Sequence, residues 1–107
     1  NIRNVWKNLK VVETLQPYSV LAHWQSDEEV HSLFIDACPN KVLRDVIRSL
    51  RAATKLFEIE NLSERLEPDS RQHEAILTSL LRKDKKAAKA AVALHIKSLY
   101  KFAVSVL

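Results

Sequence analysis

Apolar residues recur every three to four positions along most of the chain, the spacing of one buried face on an α-helix. Ile2, Val5, Trp6, Leu9 and Val12, with Glu13 beside them, predict a first helix over residues 2–16, closed by Pro17. A second, over 19–37, turns Val20, Trp24, Asp27, His31, Phe34 and Cys38 inward and stops at Pro39, because proline removes a helical hydrogen bond and clashes with the preceding turn. The third, over 40–58, carries the stripe Val42, Leu43, Val46, Ile47, Leu50, Ala53, Thr54 and Phe57. A polar connection, ENLSERLEPDS, follows and ends at Pro68, with Asp69 or Ser70 as N-cap of a fourth helix over 70–82. The fifth, over 85–105, starts after Asp84. No segment repeats another. The pattern predicts an all-α antiparallel bundle of about five to six helices, one domain over residues 1–107.

Composition narrows the function. The 107 residues include no glycine, which excludes a glycine-rich phosphate loop and argues against tight hairpins. A single cysteine, Cys38, forms no internal disulfide and suits a reducing compartment such as the cytoplasm. No apolar run is long enough to cross a membrane, and no signal peptide is evident. The net charge of +4 is mild, and apart from a short cluster at 82–86 the basic residues are scattered. Direct nucleic-acid binding by these residues is therefore not expected, because a phosphate footprint needs a dense patch. The opening NIRNVWKNLK begins inside a helical pattern, so further chain is expected upstream.

The chemistry lies in polar residues on greasy faces. Asp27 sits among Val20, Trp24 and Phe34, where a carboxylate is costly unless paired or bound to a cation. His31 follows one turn later on the same side. His73 and His95 lie eleven residues before and eleven after Asp84, so a reversal there returns both rings to one height. Two blander readings stay open: a salt bridge from Asp27 to Arg48 or Arg51, and two core histidines with separate partners. If the four converge, three imidazoles and a carboxylate suit a borderline divalent metal, zinc first, with nickel, iron or manganese as alternatives. Arg48, Arg51 and Arg65 either offer guanidinium forks for a carboxylate or stand as ordinary surface arginines. His23, one turn before Asp27, either supports the site from behind or packs. Trp6 and Trp24 read as packing anchors, and Glu74 is the one acid beside His73 able to serve a metal-dependent hydrolase.

DEEVH (27–31), ACPN (37–40), Arg65, QHEAI (72–76) and RKDKKAAKAAVALHI (82–96) resemble, in order and spacing, the FCD domain, the C-terminal effector-binding domain of the FadR branch of GntR-family bacterial transcription regulators. The resemblance covers roughly residues 15–105 and is specific in its combined spacing. It implies metal ligands at Asp27, His31, His73 and His95, and a small organic-acid effector. It also implies a homodimer whose N-terminal winged helix-turn-helix, outside these residues, reads DNA, and one or two further N-terminal helices in the domain. Three positions depart from the family pattern. Gln72 replaces a glutamate behind the ligands, Pro39 a glycine, and His23 an aromatic or aliphatic residue. A bundle in which metal serves only as a staple for dimerisation is the alternative to a sensor, and a hydrolase is a further one.

Overall fold

Small polar side chains set where the helices begin. In the computed structural model, which describes residues 2–37 and 39–106, and the side chains of these except 53–59 and 106, the order is α1 (Ile2–Thr14), α2 (Val20–Asp36), α3 (Lys41–Asn61), a 3-10 turn (Leu62–Arg65), α4 (Leu66–Leu81) and α5 (Lys85–Val106). There is no strand among the described residues. Ser19 Oγ accepts the Ala22 amide at the start of α2, and Asn40 Oδ1 accepts the Leu43 amide at the start of α3. Asp84 Oδ1 accepts the Ala87 amide at the start of α5. Each satisfies an amide that the first helical turn leaves without a partner.

The reversal between α4 and α5 fixes the relative height of their side chains. Lys83 adopts a left-handed φ of 58°, its amide bonds to the Leu80 carbonyl, and the Asp84 amide bonds to the Ser79 carbonyl. This pair of bonds closes the end of α4 in the Schellman manner, normally with glycine at the left-handed position. The chain has no glycine, and Lys83 takes the strain instead. Asp84 thus both closes α4 and caps α5, which makes the hairpin tight.

The apolar core is small. Val5 and Leu9 of α1, Val30 of α2 and Leu77 of α4 are buried together, with Ile2, Trp6, Leu33 and Phe34 against them. α1 packs on α2 and α4, and α5 packs on α4. The expected inward faces of α1, α4 and α5 agree with this: Val12 and Ile76 are buried, and Ala88, Ala91, Val92, Leu99 and Phe102 are half-buried.

Three expectations need correction. The polar connection before α4 is mostly helical, and α4 starts at Leu66, so neither Asp69 nor Ser70 is its N-cap. Pro68 is the third residue of the helix, where no intrahelical amide bond is required, so it does not break it. The described part of the stripe on α3 is not a core face, since Val42, Leu43, Val46 and Leu50 are exposed and Ile47 is half-buried. Among the described residues α3 packs against α2 and the 3-10 turn alone. Val20 is likewise exposed at the start of α2. Cys38 and the side chains of Ala53, Thr54 and Phe57 lie outside the described residues.

Candidate metal centre

α2 has a wide buried face, comprising His23, Trp24, Ser26, Asp27, Val30, His31 and Ile35. Asp27 and His31 leave it one turn apart towards α4 and α5. From the α4–α5 hairpin His73 and His95 come back at one level, as their equal distances from Asp84 require. The structure brings the four together: one ligand atom from each lies within 4.8 Å of the others, and all four residues are buried.

The atoms that face inward are those a cation would use. His95 Nε2 lies 3.1 Å from His31 Nε2 and 3.0 Å from His73 Nε2. Asp27 Oδ1 lies 3.4 Å from the Nε2 atoms of both His31 and His73. Ligands about 2.0–2.1 Å from a tetrahedral ion sit about 3.3 Å apart, so these four separations suit a metal of zinc size. The rings cross edge to face, with 4.5 Å between the centroids of His73 and His95.

Electrostatics favour the same occupant. Burial pushes the His73 imidazole down to about 4 and the His95 imidazole down to about 3, the latter helped by the charges of His73 and His31. Both are neutral near pH 7, with lone pairs available. Burial alone would raise the Asp27 carboxyl; contact with His31, then the charges of His73 and Arg51, outweigh it and hold the group well below the usual carboxylate range. Among the described residues ten polar side chains are buried against nine apolar ones. That balance is poor for a core held by hydrophobic burial alone, and it fits a centre organised around a cation.

A network behind His95 fixes its proton. Arg65 Nη2 donates to Gln72 Oε1 at 3.2 Å, which identifies that atom as the amide oxygen, and His95 Nδ1 therefore donates to it at 2.8 Å. The Nε2 lone pair of His95 is left facing the centre. Ser98 Oγ accepts from both Arg65 and Gln72, at 2.9 Å in each case. Asp69 Oδ1 takes two bonds from Arg65, at 3.0 and 2.7 Å. Metal-binding histidines usually have such a partner on the far nitrogen, which sets the tautomer.

The other residues singled out in the sequence divide clearly. Gln72 touches His95 directly. His23 is buried and its polar partners lie outside the four: its Nδ1 is 2.7 Å from the Tyr18 hydroxyl and its Nε2 3.4 Å from Asp69 Oδ2. Arg65 is buried among Asp69, Gln72 and Ser98, facing the back of His95. Arg51 bonds to Asp27 Oδ2 at 2.9 Å, to Glu28 Oε1 at 2.6 Å and to His31 Nδ1 at 2.9 Å. The salt bridge offered as the bland reading of Asp27 is thus present, and it coexists with the four-residue cluster. Arg48 pairs with Asp36 on the surface. A cleft of about 260 Å³ is lined by Trp24, Glu28, His31, Ser32, Ile35, Arg48, Arg51 and Ala52, so one of the four cluster residues is reached from outside beside two guanidinium groups. Glu74 points instead to α1, where it accepts from Lys10 Nζ at 2.8 Å.

Sequence reasoning missed Glu28, Asp69, Ser98 and Tyr18. Two of these had a signal. Asp69 lies four residues after Arg65 and Ser98 three after His95, spacings that place each pair on one helical face.

The family model described as the FCD domain matches residues 12–98, most of the chain, and the chain belongs to that family. FCD domains form the C-terminal, ligand-sensing part of GntR-family transcription regulators. No curated protein and no solved structure matches the chain significantly. Among the described residues no helix is long and apolar enough to cross a membrane.

Proposed function

We propose that this FCD domain senses a small carboxylate through a divalent metal held by Asp27, His31, His73 and His95, and that occupancy alters DNA binding by a winged helix-turn-helix of the full-length regulator. The observation that carries the reading is the convergence of three imidazole nitrogens and one carboxylate oxygen within 4.8 Å, with His31 also lining a cleft beside Arg48 and Arg51. A metal there would supply a positive centre that attracts a carboxylate, and zinc suits the donor set best.

The protein's own residues do the rest. Asp27 and His31 belong to α2, His73 to α4 and His95 to α5, so loading the site ties three helices together. Arg48 and Arg51 place positive charge at the cleft wall, where a carboxylate would accept their hydrogen bonds. Arg65 acts from behind, through Gln72 on His95. An effector that binds one packing of these helices more tightly than another shifts their equilibrium by that difference in affinity. A cytoplasmic homodimer completes the proposal, and light scattering of the full-length regulator tests its assembly state.

Two results supporting a regulator rather than a hydrolase are the family match and the position of Glu74, which leaves the cluster without that acid. The test is elemental analysis of the purified protein beside Asp27→Ala and His73→Ala. One equivalent of metal in the parent and none in the variants is expected, and unchanged content in both would remove the site. Citrate or malate should then raise the melting temperature of metal-loaded protein alone; stabilisation by metal with no response to any acid would favour the structural staple.

A further inference from the structure

We propose that Glu28 makes the cleft selective for a small monocarboxylate that carries a hydroxyl group, and turns away acids with a second carboxylate. The inference rests on the sensing function proposed above and adds the class of acid sensed. A cleft with two guanidinium groups in its wall also has a carboxylate there, which a plain anion site would not need.

The two walls differ in chemistry. α3 contributes Arg48 and Arg51, three residues apart on one side of the helix, with Ala52 next to them. Guanidinium groups only donate, so this wall receives the carboxylate of an acid. α2 contributes Glu28 and Ser32, one turn apart. A carboxylate only accepts and a hydroxyl does both, so this wall receives a donor. A ligand that satisfies both walls carries a carboxylate and a hydroxyl. An ammonium group would also donate to Glu28, but it would meet two guanidinium groups and the metal. Trp24 and Ile35 of α2, with Ala52, add apolar surface that suits a short hydrocarbon tail. The volume of about 260 Å³ falls below the range of roughly 300–1,000 Å³ of pockets for drug-sized ligands, so the acid is small.

Charge sets the limit of one carboxylate. Glu28 Oε1 accepts from Arg51 Nη2 at 2.6 Å, and a carboxylate can accept about four hydrogen bonds, so capacity remains for a ligand. Arg51 also pairs with Asp27, and Arg48 with Asp36. Three carboxylates thus stand against two guanidinium groups, one negative charge in excess. A divalent ion at the four-residue cluster would turn this into one positive charge in excess, which a single carboxylate balances. A second carboxylate in so small a cleft would lie close to Glu28 and restore the negative excess. A repulsive group set against the wrong ligand gives specificity as effectively as attraction to the right one. The Glu28 side chain is 46% exposed, so water and salt screen its repulsion, and the discrimination is about tenfold.

Titration calorimetry of zinc-loaded protein with four-carbon acids tests this, with bound zinc measured after each titration. Malate is 2-hydroxybutanoate with its terminal methyl replaced by a carboxylate, and butanoate is the same acid without the hydroxyl. The protein is expected to bind 2-hydroxybutanoate about tenfold more tightly than malate or butanoate, the change that one repulsive contact or one lost hydrogen bond makes. Glu28→Gln keeps an acceptor of the same shape and removes the charge. It should bring malate within about threefold of 2-hydroxybutanoate and leave the preference over butanoate in place. Malate or butanoate binding to the parent as tightly as 2-hydroxybutanoate, or an unchanged malate ratio in Glu28→Gln, would overturn this proposal and leave an unselective carboxylate sensor standing. Binding of none of these acids would overturn the sensing function with it.

Discussion

Gln72 Oε1 accepts a hydrogen bond from His95 Nδ1 at 2.8 Å while Arg65 donates to the same oxygen. An amide thus does the work that the family resemblance assigns to a glutamate. The neutral oxygen orients the ring and keeps the His95 lone pair inward, and the adjacent guanidinium polarises the amide. Replacing Gln72 by leucine removes the acceptor and leaves Arg65 one bond short. Zinc affinity should fall about 10- to 100-fold in a competition titration with a chromophoric chelator. Gln72→Glu keeps an acceptor of similar shape and adds negative charge, so it should bind zinc at least as tightly as the parent.

Zinc should be a large part of the stability of so polar a core. At free metal 100 times its dissociation constant, binding to the native state alone contributes about 2.7 kcal/mol. For a domain of this size that corresponds to a rise in melting temperature of roughly 10–20 °C. Scanning calorimetry of chelated and zinc-loaded protein measures it. His73→Ala should abolish the shift, because it removes one of the four donors.

Metal-free protein should lose stability in mild acid. His73 and His95 have folded pKa values of about 4 and about 3, below the ordinary 6.5. Between those values and 6.5 the unfolded chain binds more protons than the native one, so stability rises with pH and is lost as pH falls through this window. The Asp27 shift acts elsewhere: its stabilisation is present above the ordinary carboxylate value of 3.8 and is lost only below it. On the order of 3 kcal/mol is at stake for His73 alone. Urea unfolding of chelated protein at pH 7 and pH 5 checks the sign, with the midpoint lower at pH 5.

The sequence reading served well where periodicity and symmetry coincided. Val5, Leu9 and Val12 define α1, and the equal spacing of His73 and His95 about Asp84 places two rings at one level because both flanking segments are uninterrupted helix. It served poorly where a neighbour decides. Val42, Val46 and Leu50 have the period of a core face, but burial depends on what lies opposite, and α3 meets only α2 and the 3-10 turn among the described residues. Pro68 misled for a related reason: a proline stops a helix in its interior and is tolerated in its first turn, and composition does not say which applies. Arg51 and Arg65 looked alike in sequence. Folding separates them, one at the cleft wall and the other behind His95.

Lys83 gives a test of the hairpin that sets the histidine heights. Its φ of 58° lies in the left-handed region, where a side chain crowds the backbone at a cost of about 1–2 kcal/mol that glycine avoids. Glycine gains some unfolded-state entropy in exchange, which offsets part of the relief. Lys83 is exposed at the surface, so truncating its side chain leaves no cavity in the core. Lys83→Gly should therefore stabilise the protein by about 0.5–1 kcal/mol, read as a higher denaturation midpoint with an unchanged slope. Zinc affinity should not change, because the Schellman bonds and the Asp84 cap already hold His73 and His95 at one level. Lys83→Val should do the opposite, because a β-branched side chain tolerates a positive φ least. A neutral response to both substitutions would mean that the left-handed residue does not set the turn.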